Sequence, residues 1–321
     1  MNVYRQLTDL PATSGPVVAT IGNFDGVHRG HQGVIAEVIA RARALGGRSL
    51  AITFDPHPAR VLRPEQPLRL ITPLARRLEL LAATGLDATL VLPFDDALRH
   101  TSARDFADQV LVRSAHITEI HEGESFRFGY QAAAEVHSLE ALGRELGFTV
   151  VVDSPFTLRG GPVSSSRIRA LIADGNVSAA RALLGRPFAV DSTAASGRGY
   201  GTRYTVPTIN LASYSELLPV NGVYITTLTV GSGPHAETFN AVTNVGNRPT
   251  FGADSFAVES HLLNFHPLEG EQALTEQTPL RLTFLRRLRE ERKFPSTEAL
   301  RDQISRDVTQ AKRYFALCNK I

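Results

Sequence analysis

The sequence is poor in two residue types that often carry recognisable chemistry. Cys318 is the only cysteine among 321 residues, and lysine occurs only at Lys293, Lys312 and Lys320. A single cysteine excludes an internal disulfide, a CxxC pair and a cysteine-rich zinc site, and it fits a reducing compartment. Because the string GxxxxGK[ST] is absent from the sequence, a Walker-type phosphate loop is excluded.

Long apolar runs and a strong net charge are missing as well. No stretch approaches the roughly 18 apolar residues that a membrane span needs, and the N-terminal string MNVYRQLTDLPATSG contains no apolar signal region. The formal charge of +2 is too small for a dedicated binder of nucleic acid or of anionic membranes. We therefore expect a cytoplasmic protein with small-molecule partners, and the sequence leaves open whether it forms a homo-oligomer.

The pattern of the chain changes near Arg186–Pro187. Before that point, short β-branched runs alternate with helical runs, which is typical of βαβ units on a mostly parallel sheet. After it, strand-like runs separated by segments rich in Gly, Pro, Asn and Ser predict an antiparallel sandwich or small barrel, followed by a helix over 296–317. A chain of 321 residues suits two domains, so we predict an α/β domain over 1–185 and a β domain over 186–321.

The strongest motif is GNFDGVHRGH, which begins at Gly22 between the first predicted strand and the first predicted helix. In open α/β sheets, ligands bind beyond the carboxyl ends of strands, and a helix N-terminus offers free N–H groups to a phosphate. His28 and His31 are three residues apart at the helix start, so both rings can face a polyphosphate and stabilise charge on an attacked α-phosphate. Gly22, Gly26 and Gly30 let the backbone approach a nucleotide. An isolated HxxH pair more often only caps a helix.

A second set of candidate residues lies in the β-rich part of the chain. SGRGYGTRYTVPTIN contains the alternating glycines Gly197, Gly199 and Gly201, followed by Thr208 and Asn210. From the residues alone, a flexible hairpin is the favoured interpretation of these glycines. Glu259 lies in the predicted strand VESHL, where an isolated glutamate is usually a solvated side chain.

These motifs together resemble one known family. GNFDGVHRGH resembles the signature of the HxGH nucleotidylyltransferases, specifically that of the FMN adenylyltransferase domain of bacterial bifunctional riboflavin kinase/FAD synthetases. FDPHP, EGESFRFG and SSSRIR follow in the expected order, and PTIN, NVGNRPTFG, VESHLLNF and LRRLREERKF resemble the riboflavin kinase domain. The resemblance implies a Rossmann-like α/β nucleotidylyltransferase domain with a parallel sheet, then an antiparallel β-barrel domain with a C-terminal helix.

The resemblance also implies two reactions and their residues. Riboflavin is phosphorylated to FMN by ATP, and FMN attacks the α-phosphorus of ATP to give FAD and pyrophosphate, with Mg²⁺ assisting. The implied catalytic residues are His28, His31 and Arg169 for adenylylation and Glu259 as general base of the kinase, and the implied metal ligands are Thr208 and Asn210. The implied cofactor- and substrate-binding residues are Gly22, Asn23, Phe24, Asp25, Gly26, Gly30, Phe54, Pro56, His57, Pro58, Phe126, Ser164, Ser165, Gly197, Gly199 and Gly201.

Several positions depart from the family pattern. Ser125 stands where Asp or Asn is usual, Ala134–Glu135 replaces a Gly-Asp pair, Thr205 replaces a glycine and Ile209 an alanine, and HPLEGEQALTEQ replaces the usual DLYG. Two alternatives to the bifunctional enzyme stay open. One is an adenylyltransferase whose β domain only binds flavin or supports assembly, and the other is a different HxGH transferase, such as a cytidylyltransferase, with an unrelated β appendage.

Overall fold

The computed structural model describes residues 1–11, 15–195, 208–247, 256–263 and 275–318. The chain divides into two compact units, Met1–Ser165 and Ser166–Ile321, each with its own hydrophobic core. Among the described helices, none combines the length and the apolar character that crossing a membrane requires.

The first unit is built on a parallel sheet. The strands in this unit are β1 (Asn2–Tyr4), β2 (Val17–Ile21), β3 (Arg48–Asp55), β4 (Ala88–Pro93), β5 (Ile117–Gly123), β6 (Arg127–Phe128), β7 (Ala134–Glu135) and β8 (Thr149–Asp153). Six of them form the sheet in the order β1-β4-β3-β2-β5-β8, while β6 and β7 form a separate antiparallel hairpin. The chain builds outwards from β2 in both directions, so the strand order reverses between β2 and β5. Ligands of open α/β sheets bind beyond the carboxyl ends of strands at such a point.

Helices cover both faces of this sheet. They are α1 (Arg29–Ala44), α2 (Pro58–Leu62), α3 (Leu74–Ala82), α4 (Asp96–Arg99), α5 (Ala103–Asp105) and α6 (Val136–Leu146), and α5 continues as a π-helix over Phe106–Ser114. The buried face of α1 consists of Ile35, Val38, Ile39 and Ala42, whereas Val34 is only half-buried. Because side chains alternate along a strand, β2 directs Val17, Ala19 and Ile21 into one core and Val18 into the other, against α1.

The second unit is a closed antiparallel sheet with helices packed on it. Its strands are β9 (Phe188–Thr193), β10 (Thr208–Asn210), β11 (Gly222–Val230), β12 (Glu237–Asn247), β13 (Phe256–Leu262) and β14 (Pro279–Arg289), and the helices α7 (Ser165–Ala173), α8 (Val177–Leu184) and α9 (Thr297–Cys318) accompany it. The sheet order is β10-β13-β12-β11-β14-β9. Its two edge strands meet through an antiparallel bridge between Ala194 and Leu211, where Ala195 N donates to Asn210 O at 2.9 Å. This closure confirms the predicted barrel.

The two faces of the barrel wall have different partners. Tyr224 and Phe284 fill the interior and are fully buried, with their rings packed edge to face at 5.3 Å. On the outer face, Val223 and Val242 pack against Phe315 of the terminal helix α9. The predicted order of a parallel α/β domain, an antiparallel barrel and a C-terminal helix is therefore confirmed.

Along the chain, α7 and α8 follow the last strand of the parallel sheet and precede the first strand of the barrel. From Ser166 onwards they belong to the second unit. α8 contacts β9 and β14, and Ser178 Oγ donates to Leu285 O at 3.3 Å. The change of sequence pattern near residue 186 coincides instead with the first barrel strand, which begins at Phe188. The boundary between 185 and 186 stays a prediction.

Candidate active sites

The GNFDGVHRGH segment forms a strained turn between β2 and α1. Phe24 (φ 47°) and Val27 (φ 37°) adopt left-handed backbone conformations, as does Gly26 (φ 84°). A non-glycine residue in this region costs of the order of 1–3 kcal/mol and persists only where its surroundings hold it. The turn therefore needs support from neighbouring elements.

Asp25 and Thr72 supply part of this support. Asp25 is buried, and its carboxylate accepts hydrogen bonds from Ile71 N (3.1 Å) and Thr72 N (2.9 Å), in the segment that enters α3. In return, Gly26 N donates to Thr72 Oγ1 at 2.9 Å. These bonds join the turn after β2 to the start of α3.

His28 and His31 lie together at the N-terminus of α1, as their spacing predicts. Their rings stack with centroids 3.6 Å apart, and His28 Nδ1 accepts a hydrogen bond from His31 N at 3.3 Å, which makes His28 the helix cap. Burial lowers the pKa of His31 well below its usual value, and His28 and the Arg77 guanidinium lower it further. His31 is therefore neutral at physiological pH. Gly30 makes the stack fit, since a Cβ there would stand 3.2 Å from His28 Nδ1.

A cavity of about 390 Å³ opens beside this turn, at the carboxyl ends of β2 and β3. Its apolar lining includes Phe54, Pro58, Leu62, Phe94, Phe126 and Phe128, and its polar lining includes Asn23, Arg99, Thr101, Ser125, Arg127 and Gln131. A cavity of this size, walled by aromatic rings with polar groups along it, suits a flat heteroaromatic ligand.

The FDPHP residues divide between lining this cavity and shaping the turn. Phe54 and Pro58 line the cavity, as does Phe126 from the EGESFRFG string. Pro56 and His57 are not among the lining residues, and His57 Nδ1 instead caps α2 by accepting a hydrogen bond from Ala59 N at 3.1 Å.

SSSRIR begins against the nucleotide turn. Ser165, the first residue of α7, donates from Oγ to Asp25 O at 2.8 Å. Ser164 directly precedes this helix, and Arg169 lies on it, within the second compact unit.

Glu122 is a buried carboxyl at the same end of the sheet. β5 pairs with β2 only as far as Ala19 and Ile120, and beyond that pair the Glu122 carboxyl accepts the N–H of Ile21 at 2.5 Å. Burial raises the pKa of Glu122 well above its usual value, and the Asp153 charge raises it too, although the hydrogen bond from Ile21 acts in the opposite direction.

The barrel brings the predicted kinase residues onto one face. Asn210 of β10 is paired in register with Glu259 of β13, and Glu259 is paired with Asn244 of β12, so the three side chains form a row across three strands. Thr208, two residues before Asn210, lies on the same face opposite His261. Ile209 points the other way and is buried.

Part of the predicted kinase site lies outside the described residues. Gly197, Gly199, Gly201 and Thr205 fall there, as does most of HPLEGEQALTEQ. Within the described ranges, no cluster of three His, Cys, Asp or Glu residues could hold a metal ion. Thr208 and Asn210 would offer a hydroxyl and an amide oxygen, the donor type that a hard cation such as Mg²⁺ prefers.

Comparisons with known proteins identify the family of each part of the chain. A family model for FAD synthetase matches residues 10–167, and one for riboflavin kinase matches residues 184–315. A bifunctional riboflavin kinase/FMN adenylyltransferase from Pseudomonas fluorescens is 35% identical over 98% of this chain and 98% of its own length. The chain belongs to this family.

Other relatives of the riboflavin kinase/FMN adenylyltransferase family extend the match. The protein from Escherichia coli K12 is 31% identical and covers 94% of this chain and 93% of its own length. A solved structure described as a macrolide-efflux protein from Streptococcus pneumoniae is 25% identical, with a TM-score of 0.82 over 97% of this chain and 98% of that one. The resemblance seen in the motifs is confirmed, and a different HxGH transferase with an unrelated β appendage is not supported.

Three residues that support the nucleotide turn are not among the predicted site residues. Thr72, Arg77 and Glu122 all touch the turn after β2 or the strand that leads into it. Arg77 could have been noticed in the sequence of α3. It occupies the apolar stripe of that helix between Leu74 and Leu81, where a charged residue is unusual.

Proposed function

We propose that this chain is a bifunctional flavin-cofactor synthase that phosphorylates riboflavin to FMN and adenylylates FMN to FAD, using ATP for both steps. One observation carries the proposal: the turn that ends in the stacked His28–His31 pair also supplies Gly22 and Asn23 to an aromatic-lined cavity of about 390 Å³, in a chain that belongs to this family over nearly its whole length. We assign adenylylation to residues 1–185 and riboflavin phosphorylation to residues 186–321, with small-molecule partners and a cytoplasmic location.

In adenylylation, the nucleotide turn binds ATP and the cavity binds the isoalloxazine ring. The free N–H groups of α1 and the rings of His28 and His31 face the triphosphate and stabilise charge on the α-phosphate as FMN attacks it. The same turn supplies the other proposed nucleotide-binding residues, which are Gly22, Asn23, Phe24, Asp25, Gly26 and Gly30. Ser164, Ser165 and Arg169 hold the departing pyrophosphate. Phe54, Pro58 and Phe126 form the flavin side, and Pro56 and His57 shape the turn that carries Pro58.

In the kinase step, Glu259 accepts the proton of the riboflavin 5′-hydroxyl as that oxygen attacks the γ-phosphate. The register of β10 and β13 supports this role, because it sets Asn210 beside Glu259. Thr208 and Asn210 would hold Mg²⁺, which when bound neutralises charge on the transferred phosphoryl group. Gly197, Gly199 and Gly201 would surround the ATP phosphates.

A single assay tests both activities. The purified protein is incubated with ATP and Mg²⁺ and either riboflavin or FMN, and the flavins are separated by chromatography. FAD from riboflavin supports the bifunctional enzyme. FAD from FMN alone would restrict the function to adenylylation, and the absence of any flavin product would contradict the proposal.

A further inference from the structure

Arg77 is a fully buried cation directly behind the nucleotide turn. It belongs to α3, and only 1% of its surface is exposed. Its Nη1 donates to Asn23 O at 2.6 Å, and its Nη2 donates to Phe54 O at 3.0 Å. One planar side chain therefore joins the loop after β2 to the end of β3.

Both residues that accept these hydrogen bonds line the cavity. Asn23 belongs to the turn that carries the histidine pair, and Phe54 belongs to the predicted flavin side. A rigid guanidinium fork holds two acceptors at a fixed separation, which a flexible ammonium group cannot do. Arg77 thus sets the distance between the two parts of the pocket.

Packing alone does not account for a guanidinium at this position. Burying a charge is costly, and well-packed apolar residues often replace buried ionic groups without loss of stability. Arg77 Nε is enclosed without a hydrogen-bond partner, so its desolvation is only partly compensated. Burial lowers the pKa of Arg77, while the carboxylates of Asp25 and Asp55 raise it.

The charge also acts on the histidine pair. The pKa of His31 is lowered first by burial, then by His28, and then by Arg77. The charges that act on His31 are thus His28 and Arg77, and those that act on Arg77 are Asp25 and Asp55. Loss of the guanidinium removes one of the forces that keep His31 neutral.

We propose that Arg77 is a positioning residue of the adenylyltransferase site, which fixes the nucleotide turn relative to the flavin side of the cavity. This inference rests on the proposed adenylyltransferase function. The effect of the Arg77 charge on His31 concerns the folded chain alone and is measurable without turnover.

The test compares Arg77→Met, Arg77→Lys and a neighbouring control, Arg76→Met. Arg76 is paired with Glu79 on the same helix at 2.6 Å and makes neither of the two bonds to the loops. For each full-length variant we would measure kcat and KM for FMN and ATP, riboflavin phosphorylation, and the titration of His31 by NMR. Circular dichroism checks that each variant is folded.

We expect Arg77→Met to lower kcat/KM for FMN adenylylation by about 100-fold, the typical cost of misplacing reacting groups by about 1 Å. Riboflavin phosphorylation should stay within twofold, and His31 should titrate at a higher pH than in the wild type. Arg77→Lys keeps the positive charge but lacks the planar guanidinium that binds two acceptors. In this variant His31 should titrate as in the wild type, whereas KM for FMN should be higher than in the wild type. Arg76→Met should match the wild type throughout.

Wild-type adenylylation kinetics in Arg77→Met would overturn the proposal. If Arg77→Met does not fold, Arg77→Lys decides alone, and a wild-type KM for FMN in Arg77→Lys would then count against the positioning role. If the wild-type protein itself makes no FAD from FMN, the proposed function fails, and the His31 titration still tests the effect of the Arg77 charge.

Discussion

Glu122 is a single residue that joins β2 and β5 where these two strands diverge. Its carboxyl replaces a strand partner for the N–H of Ile21, where β2 and β5 separate. Its pKa is raised chiefly by burial, so the folded protein keeps this proton to a higher pH than the unfolded chain does. The stabilising contribution of the neutral carboxyl is complete below the unfolded pKa and is lost as pH rises towards the folded pKa.

We predict that Glu122→Gln removes this pH dependence. Glutamine keeps the oxygen that accepts the Ile21 hydrogen bond but does not ionise, so the variant should match the wild type near pH 4 and be the more stable protein at pH 8. Each kcal/mol gained corresponds to a rise in Tm of roughly 2–4 °C for a domain of this size. Thermal melts from pH 4 to 8 measure the difference. Exposed Glu124→Gln is the control, and a constant offset across the pH range would contradict the assignment.

Glu259 carries the second prediction at this scale. If it takes the proton of the riboflavin hydroxyl, Glu259→Gln should lower kcat for riboflavin phosphorylation by roughly 10²–10⁴-fold. FMN adenylylation should be unchanged, because its residues lie on another sheet. Chromatography of the flavin products measures both rates. Exposed Glu298→Gln serves as the control, and a parallel fall of both activities would refute the separate assignment.

Site residues that belong to a sequence motif could be predicted from the sequence. Site residues that act through contacts with distant parts of the chain could not. His28 and His31 owe their closeness to helical spacing, which is visible in the string itself. Arg77 reaches Asn23 and Phe54 across 54 and 23 positions of the chain, and no local pattern encodes that reach. Its place on the apolar stripe of α3 shows only that the position is unusual.

The first turn of α1 contains a glycine, Gly30, that leaves room for the imidazole ring of His28. A Cβ on Gly30 would approach His28 Nδ1 to 3.2 Å and Val163 O to 3.4 Å. Gly33, one turn later, has nothing within 4 Å of such an atom and is exposed. The same helix therefore contains one glycine that the site needs and one that it does not.

We predict opposite results for alanine at these two glycines. Gly33→Ala should stabilise α1 by roughly 0.5–1 kcal/mol, since alanine loses less backbone entropy in a helix. Gly30→Ala should displace the His28 ring by a few tenths of an ångström and lower adenylylation by less than the roughly 100-fold that a displacement of about 1 Å costs. Thermal melts and FAD formation from FMN measure the pair. Wild-type FAD formation by Gly30→Ala would show that the stacked arrangement is not needed.

Among the elements, the regular ones were predictable and the short or irregular ones were not. The α1 helix has a repeating apolar face, and β2 to β4 are runs of branched residues. By contrast, β1 has three residues and owes its extended form to pairing with β4. The π-helix over Phe106–Ser114 could not be told from an α-helix in the sequence, because the choice of hydrogen-bond pattern depends on packing.

At the scale of the whole molecule, two units with separate cores imply two separable activities. We predict that His28→Ala makes FMN but little FAD from riboflavin, and that Glu259→Gln makes FAD only from supplied FMN. An equimolar mixture of the two should form FAD from riboflavin after a lag, because FMN diffuses from one molecule to the other. A time course of the flavins measures this. If the mixture makes no FAD while the wild type does, FMN passes only within a molecule.

The order of the two architectures was predictable, since strand runs alternate with helical runs in one part and not in the other. The barrel was predicted through the family resemblance, whereas the strand pattern alone left a sandwich open, because closure depends on two edge strands meeting at Ala194 and Leu211. The domain boundary was hard to place for a similar reason. α7 and α8 have the helical pattern of the first part of the chain, yet they fall within the second compact unit.

The pairing of β9 with β14 has a consequence for synthesis of the chain. Phe188 is matched with Phe284, so nearly a hundred residues are made between the two strands. At ribosomal rates of about 5–20 residues per second, β9 leaves the ribosome roughly 5–20 s before its neighbour does. The first unit can fold during that interval, while β9 presents an unpaired edge of the kind that aggregates. Translation speed over this stretch therefore affects the yield of folded protein.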